Sequence, residues 1–382
     1  MNNIYIKKLK KKKNFYIIIF GLFIVSLIFI GKSFYNAIIL ETYSSKDFAG
    51  IYELSKDFWN KIDIFKRYFI SNKEYFLEND LFFSIPTWSH LTYIIFLPYT
   101  LVPIKISKIL WFFSNLIFLF FIIKLTKKYY NLSLNQSLIL TLITISSTPL
   151  TNTLGNGQLS LFLLLVLIIY WYSKKVSKKF ILSLSVIKIS FGALFIFHSL
   201  LKKKLDFVYA LIINVITVLF YSFYVNDFNF YQFINPLLVI FDFGKIYNFS
   251  GISNLNSIFI AYDLKNYYFL ILLICFILIG IFLIKKKNEI SFLSLIILTL
   301  ILFYHNIYDF VLLIPLAAYA MNKKLNKIIK FFIATTIVYF FYFIKINEVI
   351  LENYLEKNTI DIIGVFLLLI CLFFLNSKKS QI

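Results

Sequence analysis

The chain has 382 residues, 60% of them apolar, with a mean hydropathy of +0.82, whereas soluble domains sit near about 45–50% apolar. Its net charge of +21 does not point to nucleic acid, because the lysines come in short runs beside apolar stretches, as the positive-inside rule expects, and not on a soluble basic face. Two cysteines, Cys275 and Cys371, each alone in an apolar run, suggest neither a disulfide framework nor a sulfur-based metal centre.

In chain order, Lys7-Lys8-Leu9-Lys10-Lys11-Lys12-Lys13 precedes an apolar stretch at 15–40. This stretch is too long and bulky for a signal peptide and predicts a retained first transmembrane helix with a cytoplasmic N-terminus. Further lysine runs at 124–128, 174–179, 202–204, 285–287, 323–330 and 378–379 then assign the long segments 41–88 and 226–264 to the extracytoplasmic side. Full crossings are predicted near 15–40, 107–124, 136–151, 158–173, 205–225, 265–284, 290–304, 307–321, 330–346 and 360–376. A span needs about 20 residues, so the whole chain, 1–382, reads as one all-α polytopic membrane domain of ten to twelve segments. No internal repeat interrupts it.

Three stretches fit less simply. Within 41–88, Leu54, Phe58, Ile62, Phe65 and Phe69 recur at helical spacing; this amphipathic helix either lies on the outer leaflet or packs on the domain. Residues 86–104 carry Pro86, Pro98 and Pro103, and form either a further crossing or a half-buried turn. Residues 180–201 lie between two lysine runs and predict a broken hairpin with Lys188 near its tip. Irregular backbone at membrane depth has to be satisfied by protein or by a water-filled cavity.

Ionisable groups at membrane segments are costly and are therefore candidates for function. Asp47 follows the first span; it is either a general base with a raised pKa or a solvated loop carboxylate. Gly155-Asn156-Gly157-Gln158 is either a tight turn or a place where backbone nears a ligand, with Asn156 and Gln158 supplying hydrogen bonds. Lys188 either snorkels or meets a phosphate. Asn254-Leu255-Asn256-Ser257 is a polar loop able to bind sugar hydroxyls through Asn256. His305 and Asp309, four apart and on one face if helical, suit proton transfer or phosphate binding, or simply cap a helix at the interface. No metal is expected, because the acidic residues are dispersed.

Taken in order, these pieces resemble the GT-C glycosyltransferases, and within them glycosyltransferase family 87, the polyprenyl-phosphate-mannose-dependent mannosyltransferases. The resemblance spans roughly residues 40–320 and rests on Asp47-Phe48-Ala49-Gly50-Ile51-Tyr52, Gly155-Asn156-Gly157-Gln158, Lys188 ahead of Lys202-Lys203-Lys204, Asn254-Leu255-Asn256-Ser257 and His305-Asn306-Ile307-Tyr308-Asp309. The chain departs from the family where Ile189 follows Lys188 in place of proline, and where Ser84-Ile85-Pro86-Thr87 replaces Tyr-x-Pro-Pro. The resemblance implies a GT-C-like bundle with long extracytoplasmic loops in the cell (inner or plasma) membrane. It also implies an inverting transfer of a hexose, mannose first among the candidates, from a polyprenyl-phosphate donor to a lipid or glycan acceptor on the extracytoplasmic face. Asp47 and His305 would be catalytic, with Lys188, Gln158, Asn156, Asn256 and Asp309 on the substrate or phosphate. No cofactor is implied, and membrane lipids are the other partners. Two alternatives remain on sequence grounds: a transporter or lipid-linked-sugar flippase, and a polymerase or ligase of surface polysaccharide.

Overall fold

The computed structural model describes residues 2–39, 46–70, 85–172, 178–202, 205–240, 274–275, 277–278, 292–303, 305–322, 325–343 and 357–376. All regular structure in them is helical, as an all-α polytopic membrane protein requires. The long helices include α1 (Asn2–Phe34, continued as a π-helix over Tyr35–Ile39), α6 (Ile104–Tyr129) and α12 (Leu205–Tyr224). The spans Tyr16–Ile39, Ile104–Tyr129 and Leu205–Tyr224 are each long and apolar enough to cross a membrane. Phe20, Ile24 and Ile28 of α1 stay exposed, as a lipid-facing helix allows.

The predicted crossing at 136–151 is broken. Helices α7 (Leu134–Ile145) and α8 (Thr148–Asn156) meet at 60°. The break follows from Ser146-Ser147-Thr148-Pro149: proline lacks an N–H and its ring collides with the preceding turn. The Ser147 hydroxyl caps α8 by accepting from Leu150 N. Tyr342 OH donates to the Ile143 carbonyl at 2.9 Å and bonds Ser146 Oγ at 3.0 Å, satisfying groups that the break frees. Helix α9 (Ser160–Tyr172) is only 13 residues long. It is apolar all round and runs through the core, with Leu161, Leu164, Leu167 and Ile168 buried.

Residues 86–104 hold two short helices, α4 (His90–Ile95) and α5 (Leu97–Thr100), which settles them as a half-buried turn and not a crossing. Residues 180–201 are broken as the lysine pattern predicts. Helix α10 (Lys178–Leu184) and a 3-10 turn (Ser185–Ile187) lead to Lys188, which is extended (φ −114°, ψ 98°), and then to α11 (Ile189–Leu201). Gly192 permits the return, since a Cβ there would lie 2.6 Å from the Ser185 carbonyl oxygen. Helix α13 (Phe292–Leu302), a 3-10 helix (Ile307–Leu313) and α14 (Ile314–Ala320) follow. Helix α15 (Lys327–Val338, continued as a π-helix over Tyr339–Phe343) and α16 (Lys357–Asn376) complete the described bundle. Cys371 is buried there, 3.1 Å from Thr336 Oγ1.

The amphipathic helix of the first loop is two helices, α2 (Lys46–Trp59) and α3 (Ile64–Ile70), with Lys61 at φ +62° between them. The turn shifts the apolar phase. Ile62 and Phe69, expected on the buried face, are 39% and 42% exposed, while Ile64 and Tyr68 join Leu54, Phe58 and Phe65 inside. These side chains pack on Tyr93, Tyr221 and Val225, and Phe58 stacks on Tyr221 at 4.9 Å. The face is therefore covered by the domain itself, not by the leaflet. Phe58→Ala is expected to cost about 3–5 kcal/mol and to lower the unfolding midpoint in detergent, measured by scanning fluorimetry; an unshifted midpoint would mean that this face is covered by lipid.

Candidate active site

The first turns of α2, α9, α11 and the 3-10 helix Ile307–Leu313 bring the polar residues together near the end of α1. Asp47 stands in the first turn of α2. Gly157 ends α8 in the left-handed region (φ +67°, ψ 40°), a conformation that glycine adopts without strain. It is doubly required, because a Cβ on it would lie 2.5 Å from Phe48 Cβ. Trp111 stacks on Phe48 and donates from Nε1 to the Gly157 carbonyl at 2.8 Å. With 48 and 157 in contact, the neighbouring side chains meet, and Gln158 Nε2 donates to the Asp47 carboxylate. Gln158 is buried, and its main-chain N–H donates to the Thr153 carbonyl at 2.9 Å.

Beside this pair is a second one. Lys188 Nζ donates to both carboxylate oxygens of Asp309, at 2.9 and 2.8 Å. Asp309 is fully buried and also accepts from Ser160 Oγ at 2.6 Å and from Asn306 N at 3.1 Å. The ammonium lies 4.3 Å from the ring centre of Phe191, 5.3 Å from that of Tyr308 and 5.9 Å from that of Trp88, an aromatic cage that favours a cation. Tyr308 is held by Asn306 Nδ2 on its hydroxyl and by Thr153 Oγ1 on its carbonyl, both at 3.0 Å. A buried ion pair is stable only when its remaining hydrogen-bonding capacity is satisfied, and Ser160 and the Asn306 main chain provide this.

The two pairs share one electrostatic site. Burial pushes the Asp47 carboxyl up to about 7; the Lys188 charge opposes this, the Asp309 charge adds to it, and the Gln158 hydrogen bond opposes it. A carboxyl poised near neutrality next to a caged cation is able to accept a proton while a neighbouring group gains negative charge.

His305 is placed differently from the sequence expectation. It lies before the 3-10 helix, so it shares no helical face with Asp309. Its Nε2 is 2.6 Å from the Leu300 carbonyl, and since that oxygen only accepts, Nε2 carries the ring proton. Burial lowers the imidazole to about 4, against the pull of Asp309, which favours the neutral ring near pH 7. Asp309 instead forms a capping box with Asn306 at the start of the 3-10 helix. Asn156 ends α8, half-buried; Asn256 lies outside the described residues. His90 packs against Phe65 at 4.6 Å and not with His305. Ser160, Trp88 and Tyr308 were missed as site residues. Ser160 carried a signal, being a hydroxyl two residues after Gln158 at the start of an apolar run.

The model of glycosyltransferase family 87 matches residues 90–304, which include Gln158, Ser160 and Lys188 but neither Asp47 nor Asp309. No curated protein and no solved structure matches the chain. The match covers more than half of the sequence and sets aside the transporter alternative: the chain is a membrane glycosyltransferase and belongs to glycosyltransferase family 87.

Proposed function

We propose that this glycosyltransferase moves a hexose, mannose by first choice, from a polyprenyl-phosphate carrier to a lipid or glycan acceptor at the extracytoplasmic face of the cell membrane, with inversion. The observation that carries the reading is the neighbourhood of Asp47 and the Lys188–Asp309 pair, a base and a cation within one site. Asp47 takes the proton of the acceptor hydroxyl. The acceptor oxygen bonds the anomeric carbon from the face opposite the phosphate, and the bond from that carbon to the phosphate oxygen breaks with its electron pair. Charge grows on the leaving phosphate, where the Lys188 ammonium stabilises it more than in the ground state. Gln158 aims the Asp47 carboxylate, and Asp309 and Ser160 aim Lys188. His305, its proton held by Leu300, positions the turn before Asp309. A lipid donor fits a chain without a Gly-rich phosphate loop.

In proteoliposomes supplied with polyprenyl-phosphate mannose or glucose and a host glycan extract, Asp47→Asn is expected to cut turnover about 10²–10⁴-fold with the unfolding midpoint unchanged. Transfer that survives the substitution would remove Asp47 as base.

The pH profile has a definite sign. The base works when ionised, so kcat/KM is expected to rise about tenfold per unit below the Asp47 pKa of about 7 and to level off above it. A profile that falls through this range would rule the carboxylate out.

Lys188→Met leaves Asp309 buried without a counter-charge and is expected to cost about 3–5 kcal/mol. Lys188→Met/Asp309→Leu is expected to recover the midpoint but not the activity. Recovered turnover in the double variant would show the pair to be structural alone.

A further inference from the structure

The first span carries a single charge. From Tyr16 to Ile39 every residue is uncharged except Lys32. It stands seven residues before the end that leads to Asp47, about 10 Å inside the span at about 1.5 Å per residue. Lys32 is exposed. Its neighbours on the same stripe of the helix, Ile28, Tyr35 and Ile39, are 62%, 48% and 56% exposed, so the stripe faces lipid. A charge at such a depth is costly without a partner. The ion pairs among the described residues hold Lys66, Arg67 and Lys188, not Lys32. A lysine side chain is long enough to carry its ammonium toward the headgroups, and there the counter-charge comes from lipid.

The packing of α1 ties this charge to the active site. Ser33 Oγ donates to the Thr151 carbonyl of α8 at 3.5 Å. Asn36 is four residues after Lys32, on the same face, and lies against the end of α8: a Cβ on Gly155 would be 3.5 Å from Asn36 Cβ. Gly155 precedes by three residues Gln158, which donates to Asp47. Lys32 therefore stands below the α1–α8 contact that leads to the site, on the side open to the bilayer.

Charge and depth together limit the ligand. A phosphate ion in solution would have to give up its water to reach a lipid-facing ammonium. A lipid without net charge offers no counter-ion. A lipid that carries a phosphate at the edge of the hydrocarbon brings the charge to the right depth with its chain already in the bilayer.

We infer that Lys32 is a docking point for a polyprenyl-phosphate lipid, which it holds by the phosphate on the bilayer side of α1 before the headgroup passes to Asp47 and Lys188. The inference rests on the lipid-donor reading for the identity of this lipid; the binding is measured apart from turnover. Lys32 touches no reacting atom. It gathers the donor beside the site, an effect on KM and not on kcat.

The test is native mass spectrometry of the full chain released from phosphatidylcholine nanodiscs that also hold undecaprenyl phosphate or phosphatidylglycerol. It is run on Lys188→Met/Asp309→Leu, so that the cation of the active site is absent. In this background undecaprenyl phosphate is expected to stay bound, and Lys32→Met, a lipid-facing change, to lower its occupancy about fivefold, while Lys32→Arg keeps it. Equal occupancy with and without Lys32→Met would overturn the docking point. So would phosphatidylglycerol held as firmly as undecaprenyl phosphate, or displacement of the lipid by inorganic phosphate. In proteoliposome transfer, Lys32→Met alone is expected to raise KM for a polyprenyl-phosphate donor about fivefold. Its kcat, and the KM of a short-chain, water-soluble donor, are expected to stay unchanged; a kcat loss shared by both donors would overturn the inference. Loss of undecaprenyl phosphate in Lys32→Met together with no lipid-sugar transfer by wild type would support the docking point and sink the donor reading alone.

Discussion

The contact between Gly157 and Phe48 is the constraint from which the site follows. A chain that must place a loop carboxylate against a turn between two apolar helices needs an approach closer than side chains permit. Glycine gives it twice over, by its positive φ and by the Cβ it lacks. Trp111 locks the contact from the far side, through the Gly157 carbonyl and the Phe48 ring. Asp47 and Gln158, the next residues on each strand of this contact, then have no alternative but to meet. The same turn starts α9, whose first residue, Ser160, reaches Asp309. One backbone contact thus registers α2, the α8–α9 turn and the 3-10 helix against each other.

The charges divide labour in a way that uniform burial would not. Asp309 is buried deeper than Asp47, yet its hydrogen-bonding capacity is met by Lys188, Ser160 and Asn306. Asp47 has one hydrogen-bond donor in Gln158, and burial outweighs it. Two neighbouring carboxylates thus have different surroundings: Asp309 is paired with Lys188, and Asp47 is pushed by burial toward neutrality. The aromatic rings around Lys188 complete the arrangement, because they exclude water while tolerating a cation.

Much of this was legible in the sequence. Gln158, Lys188 and Asp309 each interrupt an apolar run and Asp47 follows one, and the cost of polar groups in such places marks them. What could not be read was geometry set by distant residues. Spacing put His305 and Asp309 on one helical face, but a carbonyl five residues back captures the imidazole and Asn306 opens a 3-10 helix in between. The apolar period from Leu54 to Phe69 hid the turn at Lys61, because a four-residue interruption leaves a pattern that still resembles one helix. The hydrogen bond from Gln232 to Asp63 left no local signal at all, because 169 positions separate the two.

The site residues stand at or near helix ends, and in a membrane protein that needs a cause. A broken helix frees main-chain groups that lipid cannot satisfy, so an isolated break would be expensive. Here side chains of neighbouring elements satisfy them. The Ile187 carbonyl, released ahead of Lys188, accepts from Ser89 N and Thr92 Oγ1 in the short α4 region. The Gly157 carbonyl accepts from Trp111, the Tyr308 carbonyl from Thr153, and the Leu300 carbonyl from His305. Asn306 N finds the Asp309 carboxylate. The polar side chains of the candidate site thus converge where side chains also satisfy the main-chain groups that the helix ends leave free.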